Sequence, residues 1–175
     1  MIKHLLTHYP NYNLKSFKEY NNDILVIEEN YDIDGILHGE AIKWYDDGKL
    51  KEYTVYDHFK KNGTYKKWYP NGQLHAEHYY INNIQYQTAF EWYESGELYQ
   101  TIDMVNGKYH GKFKQWYDNK IIALEIDYIN GKKNGVYKYW LPNGKLDTWR
   151  TYKADTLINT KYYPTELDNN QNFNN

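Results

Sequence analysis

The chain has 175 residues, enough for one domain of ordinary size, with a formal net charge of -2 and no cysteine. This balance gives no reason to expect nucleic-acid binding, which requires a concentrated basic face, and the missing cysteines exclude disulfides, thiol catalysis and cysteine-based metal sites. The 22 tyrosines and a mean hydropathy of -0.99 favour a thin sheet over a globule, because a thin sheet buries the tyrosine ring and leaves the hydroxyl in water.

Residues 1–31 are predicted to form a degenerate N-terminal repeat that caps the rest of the chain. The segment Tyr9–Leu14 (YPNYNL) resembles Tyr69–Leu74 (YPNGQL), which lies 60 residues later. That separation is two and a half of the 24-residue periods that follow, so the first unit is out of register with the others.

Residues 32–163 are predicted to form five repeats of 24 residues and a terminal half-unit, and residues 164–175 a disordered, asparagine-rich tail. One tryptophan recurs in every repeat, and an apolar residue follows it by six positions. We assign the tryptophans a structural role: Trp44, Trp68, Trp92, Trp116 and Trp140. The apolar residues that follow them are Leu50, Leu74, Leu98, Ile122 and Leu146.

All eleven glycines fall in three columns of the same period, which indicates positions chosen for backbone reasons, and the second column is expected to turn the chain into the next hairpin. The first column holds Gly48, Gly72, Gly96 and Gly144, with Lys120 as its exception. The second holds Gly39, Gly63, Gly111 and Gly135, with Gln87 as its exception, and the third holds Gly35, Gly107 and Gly131. In Tyr69–Gly72 (YPNG), the proline and glycine predict a type I turn with a bulge that closes a hairpin.

These signals predict an all-β fold, in which tandem hairpins form an elongated, twisted antiparallel meander of about ten to twelve strands. A three-residue loop would pair Trp68 with Leu74, so the tryptophan and leucine columns should share one face. A further column is predicted to lie on the same face: Tyr56, Tyr80, Met104, Tyr128 and Tyr152. The tyrosine that follows each tryptophan should then lie on the opposite face.

The opposite face is predicted to carry a flat aromatic stripe that binds a protein or peptide. Its candidate binding residues are Tyr45, Tyr65, Tyr69, Tyr93, Phe113, Tyr117 and Tyr137. Charge varies beside the stripe, which would encode a particular partner: Lys43, Lys67, Glu91, Gln115 and Tyr139. The interpretation favoured over binding is that the rings stack only to hold neighbouring units together, and a sugar-binding platform is a third interpretation.

Catalytic chemistry is not predicted. Neither Ser16 nor Ser95 lies in a nucleophile elbow. Asp103 and Asp127 share a column and should stand ~10 Å apart, too far for a carboxylate pair to act together. His38 precedes a column glycine and is interpreted as a turn residue. We therefore expect no enzymatic activity, no metal site and no cofactor.

Two strings carry a family resemblance: Trp68–Leu74 (WYPNGQL) and Tyr128–Lys138 (YINGKKNGVYK). Together they resemble the variant MORN repeat, in which an aromatic pair precedes an Asn-Gly turn and a second Asn-Gly-Lys segment leads into an aromatic strand. The resemblance implies hairpin arrays used for protein binding, for assembly or for membrane association. Its YwqK-like branch consists of antitoxin or immunity partners of secreted toxins.

We therefore expect a non-catalytic interaction module or scaffold in the cytoplasm, whose partner is another protein and, in the finer version, a toxin. Self-association through the open sheet edges is a further expected contact. Nucleic acid is not an expected partner. A peripheral membrane scaffold is the alternative function, against which the acidic balance of the chain weighs.

Overall fold

Fourteen antiparallel strands form one open sheet over residues 1–162, which are the residues that the computed structural model describes. Each strand pairs with the next one along the chain, so the sheet is a meander without crossovers. The first seven strands are β1 (Ile2–His8), β2 (Leu14–Asn21), β3 (Ile24–Tyr31), β4 (Leu37–Trp44), β5 (Leu50–Asp57), β6 (Lys60–Trp68) and β7 (Leu74–Ile81). The others are β8 (Ile84–Trp92), β9 (Leu98–Val105), β10 (Lys108–Trp116), β11 (Ile122–Ile129), β12 (Lys132–Trp140), β13 (Leu146–Lys153) and β14 (Thr156–Tyr162).

The predicted all-β meander is confirmed, but its strand number was too low. The repeats alone suggested ten to twelve strands, whereas residues 2–31 form three complete strands of the same sheet. At ~4.8 Å between strands, fourteen strands extend over roughly 65 Å. The predicted tail and the last residue of the half-unit lie outside the described residues.

The turns that follow the tryptophans have the predicted chemistry. Trp68 pairs with Leu74, Tyr69 donates its backbone N–H to the Gln73 carbonyl at 2.9 Å, and Gly72 donates to the Tyr69 carbonyl at 2.9 Å. Gly72 has φ +90°, and Lys120 adopts φ +68° at the same column position. The backbone of this turn therefore requires positive φ even where glycine is absent.

An extra residue in the strand after each of these turns corrects one prediction. Lys67 pairs with Ala76 while Trp68 pairs with Leu74, so a bulge at His75 interrupts the alternation of side chains. The column of Tyr80 consequently lies on the face opposite the tryptophans, and the Tyr80 ring meets the Tyr65 ring with centroids 6.2 Å apart. We call the two surfaces the tryptophan face and the tyrosine face.

The second glycine column lies inside strands rather than in turns. Gly135 has φ +124°, and a Cβ atom built there would meet a carboxylate oxygen of Asp127 at 2.7 Å. That carboxylate accepts the backbone N–H of Val136 at 2.8 Å. Asp103 binds the N–H of Lys112 at 2.9 Å beside Gly111 in the same way. The two aspartates considered as a catalytic pair are therefore structural acceptors that fill the space above a glycine.

The five-residue turns and the two-residue turns lie on opposite edges of the sheet, and their arrangement before β4 is the reverse of that after it. Between β4 and β14, five-residue turns occupy one edge and two-residue turns the other, which we call the long-turn edge and the tight-turn edge. The turns before β2 and before β4 are five residues long and lie on the tight-turn edge. Gly35 belongs to the second of these, because it donates its N–H to the Asp32 carbonyl, whereas Gly107 lies in a two-residue turn. The assignment of Gly35 and Gly107 to one structural column was therefore wrong.

Most of the buried residues lie on the tyrosine face, although the described residues form one sheet and no second layer covers this face among them. Ala89, Ile102 and Met104 form a small cluster against which Phe113 packs. Large aromatic neighbours therefore shield small and aliphatic residues in a sheet one layer thick. The buried residues are Ala41, Thr54, Ala76, Ala89, Ile102, Met104, Ala123, Ile126 and Thr148. Among residues 1–162, no helix is long and apolar enough to cross a membrane.

Candidate functional site

The structure places all seven candidate binding residues on the tyrosine face, where each is partly buried. Four of them begin long turns and form one stripe along the long-turn edge: Tyr45, Tyr69, Tyr93 and Tyr117. The other three lie within strands: Tyr65, Phe113 and Tyr137. The two groups have different surroundings.

Each tyrosine of the stripe reaches across to the next repeat. The Tyr69 hydroxyl donates a hydrogen bond to the backbone carbonyl of Trp92 at 2.9 Å. The same bond joins Tyr45 to Trp68, Tyr93 to Trp116 and Tyr117 to Trp140, at 2.7, 2.8 and 2.8 Å. The hydroxyls of the stripe thus connect successive hairpins, which supports the structural interpretation of these four residues.

The rings of the stripe also have partners within their own repeat, at the bulge after the turn. The Tyr69 ring stacks on His75 with centroids 4.3 Å apart, and Tyr93 meets Tyr99 at 4.9 Å. The Lys51 ammonium lies 5.4 Å from the centre of the Tyr45 ring. Burial against this stack lowers the pKa of His75, with the neighbouring Lys67 charge acting in the same direction.

The aromatic residues within the strands are packed against their neighbours. The Lys61 ammonium lies 4.2 Å from the centre of the Tyr65 ring, and burial together with the Glu52 carboxylate raises the pKa of Tyr65 to about 12. Tyr137 contacts Tyr152 with centroids 6.1 Å apart. These rings therefore contribute to the shielding of the small buried residues.

The column of varying charge beside the stripe is engaged within the protein at four of its five positions. Lys43 lies 3.6 Å from Glu52, Glu91 accepts from Gln100 at 2.8 Å, Gln115 donates to Tyr99 at 2.6 Å, and Tyr139 lies 3.3 Å from the Tyr117 hydroxyl. The residue type at each of these positions therefore varies together with the residue that it contacts in the sheet. It does not by itself indicate a code for an external ligand.

We expect the change Tyr69→Phe to lower the free energy of unfolding by about 1 kcal/mol, because it leaves the Trp92 carbonyl without its donor while keeping the ring stacked on His75. Urea denaturation followed by far-UV circular dichroism measures the change. Tyr12→Phe is the control, because the Tyr12 side chain is exposed at the first turn. Equal effects of the two changes would contradict a structural role for the hydroxyl.

A row of exposed apolar residues at the tight-turn edge was missed by the sequence analysis. Its members flank or occupy successive two-residue turns, where they are between 40% and 62% exposed: Phe59, Ile81, Ile84, Val105 and Ile129. We call them the aliphatic edge, after the four of its five members that are aliphatic. Asp57 occupies the column of Ile81, Val105 and Ile129. The column of Ile84 otherwise holds Lys60, Lys108 and Lys132. Neither column is apolar in every repeat, so the 24-residue period does not reveal the row.

The tight-turn edge also brings together side chains that ligate metals. His38, Asp57 and His58 each offer one nitrogen or oxygen atom, and these atoms lie within 4.8 Å of one another. No metal site was predicted, because His38 was interpreted as a turn residue. The pairing of Gly39 with Tyr56 places His38 opposite Asp57, and this register follows from the hairpin rather than from the 24-residue columns.

Comparison with known proteins identifies the repeats. The family model of the MORN repeat variant matches residues 37–58, 61–82, 109–130 and 133–154, which make up half of the chain. The unmatched interval contains Gln87 where the matched repeats have the second-column glycine. No curated protein matches the chain. The match of four regularly spaced segments to one repeat model shows that this chain belongs to the MORN repeat variant family.

Proposed function

We propose that the protein is a non-catalytic interaction module, which binds another protein through the aliphatic edge. The observation that carries the proposal is the exposure of this row, which no part of the described chain covers. Exposed apolar residues that recur along one edge are a feature of interaction surfaces, whereas isolated ones are ordinary. The tyrosine face is the weaker candidate, because the four stripe tyrosines donate their hydroxyls to carbonyls of the sheet.

The dimensions of the aliphatic edge suit a protein partner. Its residues come from four successive tight turns, between β5 and β12. Because successive tight turns are two strands apart, the row extends over roughly 30 Å. Such a length is comparable to that of an ordinary protein interface.

The charges beside the row indicate the chemistry of the partner. Val105 pairs with Lys108 and Ile129 with Lys132 across their tight turns, and both lysines are exposed. Cations therefore flank the apolar residues on the same edge. We propose a partner surface that is apolar in its centre and acidic at its rim.

The double change Ile81→Ser/Ile129→Ser tests the surface. We expect it to weaken binding of the partner at least tenfold, because two of the five apolar contacts are lost. The partner is first captured from the native host and identified, and its affinity for purified variants is then measured by biolayer interferometry. Leu50→Ser is the matched control, since Leu50 is 40% exposed, as Ile81 is, but follows a long turn.

Lys67→Glu provides a third variant, which changes the charge of the tyrosine face. Loss of binding in Lys67→Glu with full binding in the double serine variant would overturn the proposed surface and favour the tyrosine face. Loss in Leu50→Ser alone would place the contact on the tryptophan face at the long-turn edge. All variants must retain the far-UV spectrum of the parent protein.

The resemblance to the YwqK-like branch supports a finer proposal, in which the partner is a secreted toxin neutralised in the cytoplasm. Expression of the product of the adjacent gene should arrest growth, and co-expression of this chain should restore it. Restoration by Leu50→Ser but not by Ile81→Ser/Ile129→Ser would support the finer proposal. The absence of growth arrest would leave only the general interaction module.

A peripheral membrane scaffold is the second candidate, because apolar side chains flanked by Lys108 and Lys132 also suit an anionic lipid surface. Sedimentation with phosphatidylserine vesicles tests it, with phosphatidylcholine vesicles as the control. Binding to the anionic vesicles that is lost in the double serine variant would favour the membrane over a protein partner.

Self-association through sheet edges is a separate proposal, since β1 and β14 are the two unpaired edges of the described sheet. Leu5 and Leu6 on β1, and Leu157 and Ile158 on β14, are about half exposed. Light scattering over a range of concentrations measures it. A constant monomer mass would contradict it.

A further inference from the structure

Two histidines and two aspartates meet where the long turns move from one edge of the sheet to the other. His38 lies near the start of β4, Asp57 ends β5, and His58 begins the tight turn that follows. Asp32 comes from the five-residue turn between β3 and β4. Consecutive strands and their turns therefore hold all four residues at one place on the tight-turn edge.

Three of these side chains converge through their donor atoms. One carboxylate oxygen of Asp57 lies 3.3 Å from His38 Nδ1 and 2.5 Å from His58 Nδ1. The two imidazole rings stand 5.6 Å apart between centroids. Two imidazole nitrogens and one carboxylate oxygen thus approach a common position from three directions.

Asp32 fixes the orientation of one of the histidines. Its Oδ1 atom accepts the backbone N–H groups of Asp34 and Ile36, both at 2.9 Å, so the carboxylate cannot turn away. Its Oδ2 atom lies 3.4 Å from His58 Nε2. A carboxylate on the remote ring nitrogen is the arrangement by which proteins orient metal-binding histidines. It leaves Nδ1 of His58 as the ligating atom.

We propose that His38, His58 and Asp57 bind a divalent transition metal of the Zn²⁺ type, with Asp32 orienting His58. Two nitrogens and one carboxylate oxygen form a donor set typical of zinc, and water would complete a tetrahedron. Ligands of a tetrahedral zinc stand about 3.3 Å apart at metal–nitrogen bonds of about 2.0 Å. The ligand atoms of the three residues already lie within 4.8 Å of one another, and His38 and His58 are exposed, so small rotations of their side chains would bring all three distances to this separation.

The equivalent positions three repeats later provide an internal comparison for the proposed metal site. The positions equivalent to His38, Asp57 and His58 hold His110, Ile129 and Asn130. His110 lies 3.2 Å from the amide oxygen of Asn130. This second position offers one imidazole without the other two ligands, so it should not bind a metal.

Titration of the chelator-treated full chain tests the proposal. We expect one equivalent of Zn²⁺ to bind by calorimetry, and Co²⁺ to give the visible ligand-field bands of a tetrahedral site. His38→Gln and His58→Gln should each abolish both signals. Asp32→Asn should weaken the affinity about 10- to 100-fold, because it removes only the orienting group. His110→Gln should leave both signals unchanged.

The absence of saturable Zn²⁺ binding would overturn the proposal, as would binding that survives His38→Gln. Equal losses in His38→Gln and His110→Gln would show unspecific contacts with surface histidines and would overturn it too. Because the metal-free variants are compared by far-UV circular dichroism and by melting temperature, loss of metal binding is separated from loss of the fold.

Discussion

Raising the pH from about 10 to about 12 is expected to unfold the protein cooperatively, because burial raises the pKa of many tyrosines. The pKa of Tyr31, Tyr65 and Tyr117 rises to about 12, in each case mainly through burial. In the unfolded chain these groups return to about 10. The stabilising contribution of each is complete below pH 10 and is lost as the pH rises through the folded-state pKa. Ten tyrosines share the direction of this shift: Tyr31, Tyr53, Tyr56, Tyr65, Tyr69, Tyr80, Tyr93, Tyr117, Tyr128 and Tyr137.

The combined effect should exceed the stability of the fold, even when each contribution is reduced for solvent exposure, since a domain is stable by only about 5–15 kcal/mol. Near-ultraviolet absorbance of tyrosinate and far-UV circular dichroism are recorded on the same samples. Both signals should change together. Tyr65→Phe should make the transition less steep, because one titrating group is removed. Gradual ionisation with an unchanged far-UV spectrum would contradict the prediction.

The change Gly135→Ala is expected to lower the free energy of unfolding by about 3 kcal/mol. Its Cβ atom would meet Asp127 Oδ2 at 2.7 Å and Asp127 Cβ at 2.9 Å. The aspartate must move, and the Val136 N–H then loses the acceptor that it binds at 2.8 Å. The backbone adds strain, because φ +124° is a region that residues with a Cβ rarely adopt.

Gly72→Ala is the matched control for Gly135→Ala. Its φ is +90°, but the nearest atom to a new Cβ would be the flexible Lys49 Cδ at 4.0 Å, so the cost should be limited to backbone strain of about 1 kcal/mol. The bulkier Gly72→Val should still cost more than the gain from Lys120→Gly, which replaces a residue already at φ +68°. Urea denaturation of the four variants measures all these effects. Equal costs for Gly135→Ala and Gly72→Ala would contradict the structural role of Asp127.

The repeat and its fold could be predicted from the sequence because they depend on local chemistry that recurs. Trp68 and Gly72 each mark a position with one steric requirement, and the same requirement returns every 24 residues. The pairing of Trp68 with Leu74 then follows from the length of the loop, and the structure confirms it. These arguments need no knowledge of distant contacts.

The predictions failed where a single extra residue changes the geometry. The bulge at His75 reverses the direction of every later side chain in its strand, so Tyr80 lies on the face opposite to the predicted one. The similarity of Gly35 to Gly107 in sequence position hid the fact that one lies in a five-residue turn and the other in a two-residue turn. The 24-residue spacing of the glycines does not indicate the length of the turn in which each glycine lies.

The candidate surfaces were harder to predict than the fold, because their residues are those that differ between repeats. Ile81 and Ile129 share a column with the charged Asp57, so an average over repeats conceals the aliphatic edge. His38 and His58 are likewise irregular members of their columns. A surface that does not recur in every repeat can be recognised only when the strand register shows which of its residues are neighbours.

The division of turns between the two edges makes the length of this molecule adjustable. Each 24-residue unit between β5 and β13 adds one long turn on one edge and one tight turn on the other, so insertion or removal of a unit returns the chain to the same edge in the same direction. Neither end of the sheet needs to change. Each duplication would lengthen the exposed row by ~10 Å, which is two strand spacings. Gene duplication or deletion can therefore lengthen or shorten the sheet in whole steps of one repeat.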